Sequence, residues 1–237
     1  MAIRPVFVVS DKQQLFIKEN VEFQFFSGFS EQQKKKSINS LHQAYLNNNK
    51  AAKILEISSK SELELGVKLS AFNLMITTKS DKTFSVESAF QSSKVFEHGG
   101  PYKDLLFVSS RQAKKDDRLK NSGKLIAFQI DGKTFSTEPK TYFYNWLYIN
   151  TLHLHNDLSE KVLCYDAFTD IEFNPQKSIN CQAEAAAIYV SLHRQGLLKD
   201  ALKGKDEFLE IVYPTYKQTT NNVNQQMNIF DFLQYNK

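Results

Sequence analysis

Between Ser85 and His98, Glu87, Gln91 and Lys94 fall at i, i+4 and i+7, so a carboxylate, an amide and an ammonium line up along about two helical turns. The same spacing suits an ordinary surface salt-bridge ladder, and the row by itself does not choose between a site and a solvated face. A second cluster, Tyr165-Asp166-Ala167-Phe168-Thr169-Asp170-Ile171-Glu172, sets three carboxylates among aromatic and aliphatic residues. Semi-buried acids of this kind acquire raised pKa values and do acid/base work, although loop acids also cap helices. His153-Leu154-His155 offers two imidazoles at the end of an apolar stretch, where surface histidines are commoner than metal ligands. Lys34-Lys35-Lys36 reads as a solvated basic face or as a phosphate contact. Gly-x-Gly-x-x-Gly, the P-loop, the Gly-x-Ser-x-Gly elbow and His-Glu-x-x-His are all absent, which removes several common enzyme classes.

These groups need elements to position them. Pro5–Val9 and Leu15–Phe26 are rich in Val, Ile and Phe, with the alternation Val21-Glu22-Phe23-Gln24-Phe25, and predict a hairpin. Ser30 and Gln33 form a capping-box signature ahead of Ile38, Leu41 and Tyr45, which predicts a helix to about Asn47. Its lysines have the wrong sign for a helix N-terminus, a small cost that a solvated face tolerates and a phosphate contact would repay. Ile54–Ser58 reads as a short strand, and Ser85 as the N-cap of a helix to His98 with Val86, Ala89, Phe90 and Ser93 facing inward. Asp131-Gly132 marks a tight turn between Leu125–Ile130 and Lys133–Ser136. From Glu138-Pro139 a helix follows that has almost no polar face, including Trp146, and the last helix runs from Cys181 to about Gln195 with Gly196 as its stop.

The 237 residues, 41% hydrophobic with a net charge of +4, suffice for a sizeable core and permit a nucleic-acid partner without requiring one. Aromatic residues make up 13%, enough to stack on a base, though most of the rings must fill the core. Cys164 and Cys181 lie in no CxxC pattern, so neither a disulfide framework nor structural zinc is expected. Without a bilayer-length apolar run or a signal-peptide segment, a cytoplasmic protein with no membrane partner is expected. The pattern predicts one α+β domain over 1–213, mostly helical with short antiparallel strands, and a flexible tail over 214–237. In that tail Gln226, Met227, Ile229 and Phe230 resemble the peptide by which bacterial proteins dock on the DNA sliding clamp.

Gly66-Val67-Lys68-Leu69-Ser70-Ala71-Phe72-Asn73 followed by Ser85-Val86-Glu87-Ser88-Ala89-Phe90-Gln91-Ser92-Ser93-Lys94 resembles the NADAR (YbiA-like) family over roughly residues 20–200. Trp146, Asp166-Ala167-Phe168 and Ser178-Ile179-Asn180 stand in matching order. Segments 57–61, 95–106, 109–128 and 167–183 resemble the branch found as the antitoxin beside DarT, a DNA ADP-ribosyltransferase toxin. Three departures accompany the likeness: Ala71, Thr169, and residues 29–55, which look like an insertion forming a substrate wall.

The resemblance implies hydrolysis of the N-glycosidic bond between ADP-ribose and a guanine amine in DNA, with no cofactor and no metal. An amine leaves poorly, so either water attacks an oxocarbenium-like C1 or the ribose opens and is held by an amine nucleophile. Glu87 is then expected to activate water or move the proton, and Lys94 and Lys60 to bind phosphate or form a Schiff base. Asp166 would polarise a ribose hydroxyl or act as second carboxylate. Ser70, Phe72, Asn73, Gln91, Trp146, Asp170 and Asn180 are expected to bind substrate. The partners implied are ADP-ribosylated DNA, extruded or single-stranded, and the cognate toxin. The alternatives are an N-glycosidase acting on riboflavin-pathway amines and a non-catalytic antitoxin that occludes its toxin.

Overall fold

A computed structural model of the chain describes residues 1–28 and 30–216. Strands β1, Ala2–Val9, and β2, Phe16–Phe23, form the expected hairpin, paired from Ala2 opposite Phe23 to Val9 opposite Phe16. Successive strand side chains leave on opposite faces. Val6 and Val8 therefore join one apolar cluster, and Phe7 and Val9 another. Helix α1, Glu31–Leu46, covers the first face with Ile38, Leu41 and Tyr45. Ser30 caps it by accepting the Gln33 N–H at 3.3 Å, but the reciprocal half of the capping box is not made. Two carboxylates compensate the N-terminal lysines: Glu31 pairs with Lys35 at 2.9 Å and Glu172 with Lys34 at 3.0 Å.

Strand β3 (Ile54–Glu56), helix α2 (Glu64–Lys68) and the ribbon β4 (Met75–Thr77) and β5 (Thr83–Ser85) lead to helix α3, Val86–Ser92. Strand β6 (Lys94–Phe96), a 3-10 turn (Lys103–Phe107) and short helices α4 (Ser110–Lys115) and α5 (Arg118–Asn121) follow. Strands β7 (Leu125–Ile130) and β8 (Lys133–Phe135) complete an antiparallel β6-β7-β8 sheet. Asp131 (φ 48°) and Gly132 (φ 70°) both take the left-handed conformation that a two-residue turn demands. Helices α6 (Tyr142–His153) and α7 (Asn156–Val162), strand β9 (Ala167–Thr169) and helices α8 (Gln182–Arg194), α9 (Leu198–Ala201) and α10 (Lys205–Val212) close the described chain.

The larger sheet has the order β2-β1-β9-β3; β9 runs antiparallel to β1 and parallel to β3. Helix α1 lies on one face, and α8 packs on the other through Ala183, Ala185, Ala186 and Ala187, all fully buried. Side chains this small let α8 approach both the sheet and α6, whose Tyr148 hydroxyl donates to the Leu69 carbonyl at 2.7 Å. The fold is α+β, and among the described residues no helix is long and apolar enough to cross a membrane.

Two boundaries differ from the sequence reading. Helix α3 stops at Ser92, not at His98. The Ser92 and Ser93 hydroxyls both donate to the Ala89 carbonyl, at 2.9 and 2.6 Å, and the Ser93 carbonyl accepts from Gln129 at 2.7 Å, so the chain turns into β6 against β7. Helix α6 begins at Tyr142, not at Glu138: the Tyr142 N–H bonds the Pro139 carbonyl at 2.9 Å in a turn that precedes the helix. Residues 217–237, with the clamp-like Gln226, Met227, Ile229 and Phe230, lie outside the described residues.

Gly66 of α2 rests directly on the end of β3. A Cβ there would collide with the Glu56 carbonyl oxygen and the Ser61 hydroxyl, so α2 could not pin the Ser58–Ser61 turn. Gly66→Ala is expected to cost about 1–3 kcal/mol by overpacking. Urea unfolding would register this as a lower midpoint at unchanged slope.

Candidate active site

The ends of β3 and β9, the segment around α2 and α3, helices α4 and α5 and the turn before α8 enclose a cleft of about 1420 Å³. Ligands in α/β sheets settle beyond the carboxyl ends of parallel strands, and the β3–β9 pair obeys that rule. At the back of the cleft lies α3, every residue of which is buried. Glu87 and Gln91 are thus not on a surface face: each is only 6% exposed. Gln91 Nε2 donates to Glu87 Oε1 at 2.9 Å, and Lys94 Nζ donates to Gln91 Oε1 at 2.7 Å. The amide links the carboxylate to the ammonium, although Lys94 arrives from the first position of β6.

Burial pushes the Lys94 amine down to about 8; the charge of Glu87 opposes the shift and that of Lys114 adds to it. Lys94 Nζ also lies 4.9 Å from the Phe90 ring centroid. Lys114 Nζ stands 3.7 Å from Glu87 Oε1 and 5.2 Å from the Phe72 ring centroid. Burial, and then the Glu87 charge, hold the Tyr144 phenol well above its ordinary range. Gln182 joins three segments at the wall, accepting from Ala71 N–H at 2.7 Å and donating to the Ile57 carbonyl at 2.6 Å.

Of the residues singled out from sequence, Glu87, Gln91, Lys94, Lys60, Ser70, Phe72, Asn73, Asp170 and Asn180 all line this cleft. The Ser70 hydroxyl accepts from Phe72 N–H at 3.3 Å, and the Asn73 amide donates to the Val67 carbonyl at 2.9 Å, so this turn is held by its own side chains. Asn180 Oδ1 is buried and has no hydrogen-bond partner among the described residues. Burial, and then the charge of Glu56, hold the Asp170 carboxyl well above the usual carboxylate range, against the N–H groups of Glu172 and Phe173 that lower it.

Asp166 is not among the residues that line the cleft. It precedes β9 whereas Asp170 follows it, so it sits at the strand's other end. There Oδ1 pairs with Arg194 at 2.9 Å and Oδ2 accepts the Lys53 N–H at 2.9 Å, a structural staple outside the cleft. Trp146 is also outside, packed on Phe135 at 4.7 Å between ring centroids with Lys133 over its ring. His153 and His155 turn to different partners, the Tyr189 hydroxyl and the Met75 carbonyl. None of the described residues between 29 and 55 lines the cleft; that segment supplies α1 and covers the sheet instead. Sequence reasoning passed over Lys114 and Gln182, which lie within the resembling segments 109–128 and 167–183, and the enclosed Glu56, which lies in none of them.

Nine basic side chains line the cleft against four acidic ones, an excess far steeper than the net charge of +4 over the whole chain. Arg118 ties α4 and α5 to the 3-10 turn, bonding Asp104 at 2.6 Å and Asp116 at 2.9 Å over the Tyr102 ring. That internal fork leaves Arg111, Lys115 and Lys124 on the rim without a carboxylate partner among the described residues. An α+β fold with a desolvated carboxylate–amide–ammonium row under a cationic rim defines a protein suited to hold a polyanion and move protons beneath it. The chain belongs to the DarT1-associated NADAR antitoxin family, whose profile matches residues 2–222. No curated protein matches it.

Proposed function

We propose that this antitoxin is a hydrolase that removes ADP-ribose from guanine in DNA, reversing the modification made by its DarT partner. The observation that carries the reading is the Lys94 amine, lowered to about 8 and joined through Gln91 to buried Glu87 in a cationic cleft. Two routes use these groups. In the first, Glu87 takes a proton from water as the water oxygen bonds to C1, and the C1–N bond breaks with its electron pair going to the guanine nitrogen, which takes up a proton. In the second, the ribose C1–O4 bond opens and O4 gains a proton, leaving an iminium between C1 and the guanine amine. Lys94 Nζ adds to C1, the C1–N bond to guanine breaks as that nitrogen is protonated, and water hydrolyses the lysine imine. Either sum consumes one water and yields ADP-ribose and unmodified guanine. Lys60 and the rim cations would hold phosphates, and the Asn180 acceptor would take a hydrogen bond from ligand.

The test is incubation of the protein with an oligonucleotide bearing ADP-ribose on guanine, followed by mass spectrometry. Release of ADP-ribose and the unmodified strand is expected; no release by folded protein would leave toxin occlusion or a small-molecule glycosidase. The rim makes a further prediction. Replacing Lys115, Lys120 and Lys124 together by Gln is expected to raise KM for the oligonucleotide about tenfold, leave kcat unchanged and flatten the salt dependence by a slope of about 2.

A further inference from the structure

Asp170 and Glu56 stand one behind the other where β9 and β3 end side by side. Glu56 is 3% exposed and reaches across to the loop after β9: Oε1 accepts the Ile171 N–H at 2.8 Å and Oε2 the Thr169 hydroxyl at 2.6 Å. Its two partners flank Asp170 in the chain, and its charge acts on the Asp170 carboxyl. The Thr169 oxygen is also 2.8 Å from His42 Nε2. Burial pushes that imidazole down to about 4; because the Thr169 hydroxyl gives its proton to Glu56, its bond to His42 calls for the tautomer with Nε2–H. Asp170 is half-buried on the cleft wall. Its Oδ1 accepts from Glu172 N–H at 3.0 Å and from Phe173 N–H at 3.1 Å. Oδ2 makes no hydrogen bond within the described residues and is not among the buried unpartnered atoms, so it opens toward the cleft.

We propose that Asp170 is the proton donor of the cleft and that Glu56, from beneath it, is the residue that positions it for that role. The inference rests on the hydrolase reading above and supplies the acid that either route requires. A carboxyl whose neighbour already carries a negative charge is harder to ionise, and the charge of Glu56 acts on Asp170 in that sense. Burial pushes the Glu56 carboxyl up as well, but the Ile171 N–H and the Thr169 and Ser58 hydroxyls work against that shift and hold its anion, whereas Oδ2 of Asp170 is free to carry the proton.

The neighbouring charges that act most on Asp170 do not stabilise its anion. Glu172, on the same loop, adds like charge and is itself neutralised by Lys34 of α1. Tyr144 and Tyr148 of α6 and Cys181 ahead of α8 are held neutral by burial. In the reaction, the C1–N bond breaks with its electron pair going to the guanine nitrogen, which takes the proton from Asp170 Oδ2. Water gives its oxygen to C1 and its proton to the base, and solvent returns one proton to Asp170.

A raised carboxyl stays protonated past its ordinary range, so activity that needs the acid is lost as pH rises through the raised value. Removing the Glu56 charge lowers that value and brings the loss to lower pH.

Infrared spectra at neutral pH are expected to show a protonated-carboxyl band in the wild type that Asp170→Asn removes and Glu56→Gln weakens. Asp170→Asn keeps an oxygen for the two N–H groups and is expected to lower kcat on the ADP-ribosylated oligonucleotide by about 10²-fold or more, with KM little changed. Glu56→Gln is expected to move the descending limb of the kcat–pH curve down by roughly one unit, a tenfold loss on the alkaline side. A wild type with no such band overturns the inference without reference to activity. So does an active wild type whose Asp170→Asn variant raises KM at unchanged kcat, the mark of simple binding. A wild type inert toward the oligonucleotide overturns the hydrolase reading and the donor role with it.

Discussion

Glu87→Gln is expected to lower turnover on ADP-ribosylated DNA by about 10²–10⁴-fold while the protein stays folded. The amide fills the same volume at a position only 6% exposed, and its oxygen can still accept the Gln91 Nε2–H that Glu87 accepts at 2.9 Å. Gln91 therefore stays oriented, and its Oε1 stays on Lys94. What disappears is the negative charge between Lys94 and Lys114 and the capacity to take a proton. Circular dichroism and the urea midpoint report on folding, and single-turnover release of ADP-ribose reports on chemistry. Normal turnover by a folded Glu87→Gln protein would remove Glu87 from the mechanism. A change confined to KM would make it a binding residue. Loss of turnover in both Glu87→Gln and Asp170→Asn, with opposite limbs of the pH curve affected, would assign base and acid to two different walls of the cleft.

The elements that carry these two carboxyls were unequally legible in the sequence. Hairpin β1–β2, the Ser30 cap, the Asp131-Gly132 turn and the Gly196 stop each follow from a signal within a few residues, and such signals survive whatever the rest of the chain does. The end of α3 follows instead from β7, which captures Lys94–Phe96 from about 30 residues away in sequence. For the same reason the spacing of Glu87, Gln91 and Lys94 was visible but its burial was not: periodicity shows which side chains share a face, and only the aromatic layer of Phe90, Phe128 and Phe143 shows that the face is enclosed. Asp166 and Asp170 occupy one octapeptide, and the three residues of β9 send them to opposite ends of a strand. Nothing local marks which end opens on the cleft. Trp146 sits on a helix apolar on every side, where sequence gives no preferred direction. Glu56 is one acid in the run Ile54-Leu55-Glu56-Ile57, and its role appears only once β9 lies beside it.

Lys94 gives the other large effect, and its two candidate roles separate by pH and by replacement. With its amine at about 8, the free-base fraction rises as pH rises toward that value, so kcat/KM limited by a lysine nucleophile climbs through pH 7 and levels above about 8. A phosphate-binding ammonium gives the reverse, losing affinity as pH rises through the same value. Lys94→Arg holds its charge across this range. It would support a phosphate contact but cannot add to C1, so a nucleophilic role predicts a loss of about 10²–10⁴-fold in both Lys94→Arg and Lys94→Met. Stability supplies an independent check. Because the amine is lowered from its ordinary 10.5 to about 8 on folding, the unfolded chain binds more protons between those values, and wild-type stability rises with pH across that window. Lys94→Met removes that rise: its stability relative to wild type is greatest below about pH 8 and declines toward pH 10.5, offset at every pH by the lost bond to Gln91. Urea melts at pH 7 and 10 measure the difference. Borohydride added during turnover then decides the chemistry, since reduction of a lysine imine fixes ADP-ribose on the peptide containing Lys94. An active enzyme that traps no adduct there, and whose Lys94→Arg variant works, would assign the reaction to water activated by Glu87.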